Sequence, residues 1–349
     1  MRLTHEELHT LMYNKFTKAG LNEKDANNIS DMLTWADARG IHSHGAVRVE
    51  YYVERIVKGG INVDAEMTFD KTGNASGIYQ GKNGLGFTAA LEAMDEAIKL
   101  AKTEGVAAVG VSHISHSGAL GYFTEYAAKQ DMIALSVCQS DPMAVPFGGT
   151  EPFFGTNPIA FAAPAKDGKM FSLDMATTVQ AWGKVLVARA KNEKIPLGWA
   201  VDENGVETDE AKNVHALLPI SGPKGYGLMM MVDVLSGSLL GLPTGQNVSS
   251  MYNDLTKGRD LGQFHLVINP EMFVGLEQFK QNLSNTMDEL NAVKPAEGFS
   301  QVFVPGERAL TREAEYERDG IEIVDDIYEY LISEDLHYDR YHGKNRFSE

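Results

Sequence analysis

"GKNGLGFTAALEAMDEAIKLAKTEGVAAVGVSHISHSGALGYFTEYAAKQDMIALSVCQS" (residues 81–140) decides the fold. Apolar residues at helical spacing from Gly86 onward predict an amphipathic helix that stops at Gly105. "VAAVGVS" (106–112) is a short, unbroken apolar run and reads as a buried strand. "GALGYFTEYAAKQ" (118–130) predicts a second helix, and "MIALSVCQS" (132–140) a second buried strand. Helix and strand alternate, yet the glycines at 81, 84 and 86 do not have the G-x-G-x-x-G spacing. The acidic residue required after a following strand is also missing. The chain also lacks a P-loop, an H-E-x-x-H zinc helix and a G-x-S-x-G nucleophile elbow.

Working outward, residues 4–19, 23–37 and 46–58 read as helices, the first with Thr4 as N-cap and Glu7 completing a capping box. "EMTFDKTGNASGIYQG" reads as short strands around a Gly-Asn turn. Downstream, "PIAFAAP", "MFSLDMA", "QFHLVIN" and "IEIV" read as strands. "TTVQAWGKVLVARAK", about 224–240, "EQFKQNLSNTMDELNAV", about 308–318 and "DDIYEYLIS" read as helices. The expectation is an α+β protein. Residues 1–65 with about 220–270 make a helical domain, about 66–219 with 271–330 a sheet-containing domain, and 331–349 a C-terminal tail or arm.

The chain has 349 residues, 43% of them hydrophobic, which is ample for a large core. A formal charge of -17 with no basic stripe excludes a phosphate backbone as ligand. An anionic substrate must therefore be held by a few local cations, against the global field. Cys138 is the single cysteine, so no intrachain disulfide or Cys-rich metal site can form, and a reducing cytoplasm is expected. The N-terminus lacks the apolar core of a signal peptide. No apolar run reaches the roughly 18 residues of a membrane span.

Five stretches carry candidate chemistry. In "GIHSHGAVRVEYYVER" (40–55), His42 and His44 would point the same way in an extended segment. That is half a metal site at most, because no partner cluster with metal-like spacing is evident. Arg48 and Tyr52 are i,i+4 on the helix that follows, a pairing suited to a small carboxylate or simply to a solvated face. In "VGVSHISHSGALGYF" a strand opens onto a helix, and either His113 or His116 is placed to act as a general base. In "SVCQSDPMAVPFGGTEPFFGTNP", Asp141 either orients a histidine or the substrate, or forms an Asx turn before proline. "SLDMATT" and "SGPKGYG" read as helix starts suited to anions, the second with Lys224 between glycines.

Together, "ADARGIHSHGAVRVEYYVERI", "HSGAL", "CQSDPMAVPFGG", "GTNPIAFAAP", "DMATT" and "GPKGYGLMMMVDVLSG" resemble the type-2 malate/L-lactate dehydrogenase family, over residues 3 to at least 333. The likeness is greatest to its ureidoglycolate-oxidising branch. The resemblance implies a mixed, largely antiparallel, non-Rossmann sheet domain that binds a nicotinamide cofactor. It implies a cytoplasmic homodimer that oxidises small 2-hydroxy acids, without metal. For the branch it implies conversion of (S)-ureidoglycolate to oxalurate with NAD in allantoin breakdown. NADP, and malate, lactate or another 2-hydroxy acid, are the alternatives. By motif, His116 matches the family's acid/base histidine, and Asp141 is assigned with it. Ser43, His44, Arg48, Tyr52 and Asp141 match substrate-pocket residues. Ser140, Asp174, Met175, Ala176 and Lys224 match cofactor contacts, and Gly306 in "VPGER" matches a further cofactor loop. The mechanism expected is carboxylate pairing by Arg48 and proton abstraction by neutral His116 as hydride leaves the same carbon.

Overall fold

The computed structural model of the protein describes residues 1–337. The chain opens with β1 (Arg2–Leu3), α1 (His5–Lys18) and α2 (Glu23–Ala38). Thr4 and Glu7 form the capping box their spacing predicts, and Asn22 caps α2. Two 3-10 turns, His42–His44 and Ala46–Arg48, lead into α3 (Val49–Val57). The hairpin β2 (Thr68–Gly73) and β3 (Ser76–Gln80) is followed by α4 (Gly86–Glu104) and β4 (Val106–Ile114). Next come α5 (Leu120–Ala128), β5 (Ile133–Cys138), β6 (Ile159–Pro164) and β7 (Met170–Met175). Then α6 (Trp182–Ala190), the small pair β8 (Ala200–Val201) and β9 (Ala216–Leu217), and α7 (Pro223–Ser236) follow. The chain continues through β10 (Leu261–Ile268), α8 (Leu276–Asn291), α9 (Glu307–Asp319), β11 (Ile321–Glu322) and α10 (Asp325–Ile332).

Seven strands form one sheet in the order β2-β3-β4-β10-β5-β6-β7. Only β3 and β4 pair in parallel; the other five contacts are antiparallel. This direction pattern places the site. β4 and β5 both run opposite to β10, so their C-terminal ends lie at the same end of the sheet, where β10 begins. Two further antiparallel steps bring the end of β7 there too. The segments after Ile114, Cys138 and Met175, and the one before Leu261, therefore converge.

Side chains alternate along β10, as a strand requires. His265 faces α4 and α5, where Nε2 lies 3.1 Å from the Ala90 carbonyl and its ring meets Phe123. Phe264 packs on the other side with Val137 and with Val232 of α7. One hydrophobic core runs from α1, α2 and α3 through α4 into β4. Each fully buried side chain in it, such as Met32 or Leu33, contributes about 1.5–3 kcal/mol.

The expected grouping of residues needs two corrections, and one expected helix a third. Residues 220–270 do not all join the helical part: β10 is the central strand of the sheet, and α7 covers one of its faces. Conversely, α9 and α10 do not belong with the sheet: they pack on α2 and α1, and β11 pairs with β1. The predicted helix over 177–191 begins only at Trp182. The Thr177 and Thr178 hydroxyls are bonded to the carbonyls of Thr156, Asn157 and Gln180, which holds that segment irregular. Of the expected tail, Ser333 and Asp335 accept bonds from Lys15 on α1. Residues 338–349 of it lie outside the described residues.

Candidate active site

His116 sits in the turn between β4 and α5, as its motif predicts, and its neighbours fix it. The Ser115 hydroxyl accepts the Gly86 N–H at the start of α4, at 2.9 Å. The Ser117 hydroxyl donates to Gln263 Oε1 on β10, at 2.6 Å. Gly118 completes the turn at φ +83, and a Cβ there would lie 2.4 Å from Met32 Sδ. Only glycine permits both that backbone angle and that approach.

The Tyr52 hydroxyl of α3 lies 2.6 Å from His116 Nδ1, and the Gly118 nitrogen lies 3.2 Å from the same atom. Nε2 makes no hydrogen bond among the described residues, so it is the nitrogen left for a ligand. Loss of water around the ring pushes its pKa well below the ordinary value, helped by the adjacent His44 ring and by the charges of Arg48 and Arg259. The imidazole is therefore neutral at working pH. His44 stacks on it at 5.9 Å between ring centroids and is itself held down to about 3 by burial and Arg48.

The loop carrying His44 and Arg48 is nailed to α2 by one buried carboxylate. Asp37 accepts the Ala46 N–H at 2.6 Å and lies 2.9 Å from His42 Nδ1. Gly45 is required beneath it, because a Cβ would fall 2.1 Å from the Asp37 carboxyl carbon. His42 and His44 thus diverge, one to Asp37 and one to His116. The segment is a 3-10 turn rather than the extended run that would aim both the same way. Among the described residues no group of three or more His, Cys, Asp or Glu side chains is placed to hold a metal ion. Ser43 bonds His44 Nδ1 at 3.0 Å, and its carbonyl accepts Arg48 Nε at 2.7 Å. Arg48 Nη1 donates to the Tyr252 hydroxyl at 2.7 Å.

Asp141 stands after β5 at the same end of the sheet. Its partners are the Met251 N–H, at 3.1 Å, and Arg259 Nη2, at 3.4 Å. Reading the sequence picked out neither Arg259 nor Tyr252. Both come from the segment that precedes β10, more than a hundred residues from Asp141. The only local signal is "GRDLGQ", a glycine-flanked arginine immediately before a strand.

The residues matched to cofactor contacts line the neighbouring strand ends. Ser140 lies next to Asp141, its hydroxyl 3.3 Å from that of Thr156. Asp174, near the end of β7, accepts the Gly121 N–H at 2.8 Å, and loss of water around its carboxyl raises its pKa to about 6. Met175 ends β7 and Ala176 follows it. Gly306 caps α9 at φ +97 against Ser172, two residues before Asp174. Lys224 occupies the first turn of α7, after Gly222 and Pro223. The Ile220 N–H donates to Thr177 and links that helix start to the end of β7. "SLDMATT" itself leads into irregular chain and not, as its pattern predicts, into a helix start. The chemistry of this set fits a nicotinamide dinucleotide: an exposed carboxylate for sugar hydroxyls and an exposed lysine at a helix start for phosphate.

The chain matches the family model described as malate/L-lactate dehydrogenase over residues 3–332. It is 56% identical, over the whole length of both chains, to the ureidoglycolate dehydrogenase (NAD(+)) of Escherichia coli strain K12. It is 38% identical to the malate dehydrogenase of Pyrococcus horikoshii, over 89% of this chain and 88% of that one. Among solved structures, the sulfolactate dehydrogenase of Methanocaldococcus jannaschii superposes with a TM-score of 0.89 at 37% identity, covering 95% of each chain. The chain belongs to the malate/L-lactate dehydrogenase family.

Proposed function

We propose that this protein catalyses the NAD-dependent oxidation of (S)-ureidoglycolate to oxalurate, a step of allantoin breakdown. The observation that carries the reaction type is the neutral, enclosed imidazole of His116, bonded to Tyr52 with Arg48 close by. End-to-end identity of 56% to an NAD-linked ureidoglycolate dehydrogenase supports the substrate and the cofactor. Malate and sulfolactate enzymes stand further away, at 38% identity.

In this reading Arg48 pairs with the substrate carboxylate, a local cation in a chain of formal charge -17. His116 Nε2 takes the hydroxyl proton while Nδ1–H donates to the Tyr52 oxygen. Tyrosine suits that place because a phenol hydroxyl both donates and accepts. The substrate's negative charge offsets Arg48 and so raises the basicity of His116 as the complex forms. Ser43 and His44 complete the polar wall. Bound NAD would supply the hydride acceptor for the carbon that carries the hydroxyl. Asp174, Met175, Ala176, Ser140, Lys224 and Gly306 would hold it, on a sheet with a single parallel contact and no dinucleotide fingerprint.

The active unit in this reading is a cytoplasmic homodimer. Met230, Val234 and Leu239, at 53%, 45% and 58% exposed, give α7 and the turn after it an apolar surface suited to a second copy. No helix among the described residues is long and apolar enough to cross a membrane.

The test is a panel of (S)-ureidoglycolate, (S)-malate, (S)-lactate and (S)-sulfolactate, each with NAD and NADP, followed by nicotinamide absorbance. Ureidoglycolate with NAD should give the highest kcat/KM. A higher value with malate, lactate or sulfolactate would replace this reading by that specificity.

A further inference from the structure

Arg55 closes the stretch 40–55, and no step of the reaction uses it. It is nonetheless only 1% exposed. Nη1 donates to the Met251 carbonyl at 3.4 Å, and Nη2 donates to the Lys257 carbonyl. A guanidinium buried this deeply loses its hydration, and a planar fork that reaches two acceptors at once offsets that loss. Both acceptors belong to one closed loop. The Ser249 hydroxyl donates to the Arg259 carbonyl at 2.6 Å and so ties the two ends of 249–259 together. Compact loops with joined ends are frequently functional.

The loop is seated on α3 at several points. Met251, Tyr252 and Leu255 are buried in the same core as Val49, Val53 and Ile56. Gly60, just beyond α3, runs so close to the loop that a Cβ there would fall 2.1 Å from the Leu255 carbonyl oxygen and 2.9 Å from Arg55 Cγ. Arg48, Tyr51 and Arg55 recur at helical spacing and so share one face. All three meet the loop. The Tyr51 ring meets the Tyr252 ring edge-on, at 5.5 Å between centroids. Arg48 Nη1 donates to the Tyr252 hydroxyl at 2.7 Å. Tyr252 is therefore the loop's handle on the guanidinium that pairs with the substrate carboxylate. That guanidinium must lie in the plane of the carboxylate to give it two bonds.

We propose that Arg55 is a positioning residue: it holds the 249–259 loop on α3, so that Tyr252 fixes the plane of the Arg48 guanidinium. This rests on the reading of Arg48 as the carboxylate partner. Arg55 acts through the loop and not on the substrate. One helix thus carries the carboxylate-binding arginine and, two turns on, the arginine that aligns it.

The experiment is calorimetric titration of the NADH-loaded protein with oxamate, with NADH affinity measured on the same samples by fluorescence. Oxamate carries a carboxylate beside a carbonyl, the grouping that oxidation of any 2-hydroxy acid yields, so the result does not depend on which hydroxy acid is the substrate. Arg55→Lys keeps the charge but not the fork. It should weaken oxamate by about tenfold or more and leave NADH affinity within about twofold. Gly60→Ala displaces the loop at Leu255 and should do the same, so the test survives if the lysine variant fails to fold. Tyr252→Phe should also weaken oxamate, and Arg55→Lys added to it should weaken it no further. Oxamate affinity kept in the folded variants, equal weakening of oxamate and NADH, or full additivity with Tyr252→Phe overturns the assignment. Oxamate binding that is absent in the wild type, or unchanged in Arg48→Met, overturns the reading of Arg48 and this inference with it.

Discussion

Tyr52 and His116 are 64 residues apart in sequence and 2.6 Å apart in space, joined through hydroxyl and Nδ1. One comes from the helical layer and the other from the end of the sheet, so the bond marks where the two parts meet. It also bears on the imidazole tautomer. The Gly118 N–H at the same nitrogen only donates, which favours a proton on Nε2. The Tyr52 oxygen can accept, which frees Nε2 as a base.

Tyr52→Phe leaves Gly118 as the one hydrogen-bond partner of Nδ1 and traps the wrong tautomer. Turnover in the oxidation direction should fall by about ten- to a hundredfold, the lower part of the range for acid–base assistance. The Michaelis constant for ureidoglycolate should change little. Steady-state kinetics at saturating NAD would read this; a large rise in the Michaelis constant at unchanged kcat would instead assign Tyr52 to binding alone.

The pH dependence follows from the environment of His116. Burial and then the neighbouring cations hold its pKa well below 6.5 in the free protein. A base works when unprotonated, which for a lowered pKa means everywhere above that value. The acid limb of kcat/KM for oxidation should therefore lie below pH 6.5, since that profile reports the free protein. A limb at or above 6.5 would contradict the enclosed, neutral ring.

Asp174 gives a second pH effect, in which the same loss of water shifts the pKa upward. Its pKa is raised to about 6, so its carboxyl is protonated below that and ionised above. If it accepts hydrogen bonds from the sugar hydroxyls of NAD, affinity should be full above about pH 6. It should weaken as pH falls through that value. Fluorescence titration of NADH across pH 5 to 8 would follow it. Asp174→Asn should bind more weakly and lose the pH step, whereas an unchanged step would place the titrating group elsewhere.

Gly118→Ala should destabilise the protein and slow it together. The φ of +83 costs a side chain roughly 1–3 kcal/mol. The contacts at 2.4 Å to Met32 Sδ and 2.7 Å to Phe87 Cε1 add overpacking of about 1–3 kcal/mol. Urea unfolding would measure the loss, and a variant as stable as wild type would show that the turn can yield.

The stretch from 81 to 140 was legible because each segment there follows one simple period. α4 is amphipathic, β4 and β5 are apolar runs, and the glycines at 105 and 118 take positive φ where the pattern breaks. His116 and Arg48 stood out because their loops join elements that pattern well. Where the sequence misled, tertiary structure had the decisive role. "TTVQAW" has a helical pattern, but Thr177 bonds across to Thr156 and Asn157 instead. "QFHLVIN" reads as a strand, yet nothing in it says that it lies between β4 and β5. Arg259 was invisible for the same reason, since its significance comes from Asp141, 118 residues away.

The central claim is that His116 takes the proton from a substrate held beside it. The most direct measurement is NADH formation from (S)-ureidoglycolate by His116→Asn, with NADH binding checked on the same sample. Turnover should drop by at least about a hundredfold while the variant stays folded and binds NADH as wild type does. Turnover near the wild-type rate would contradict the account.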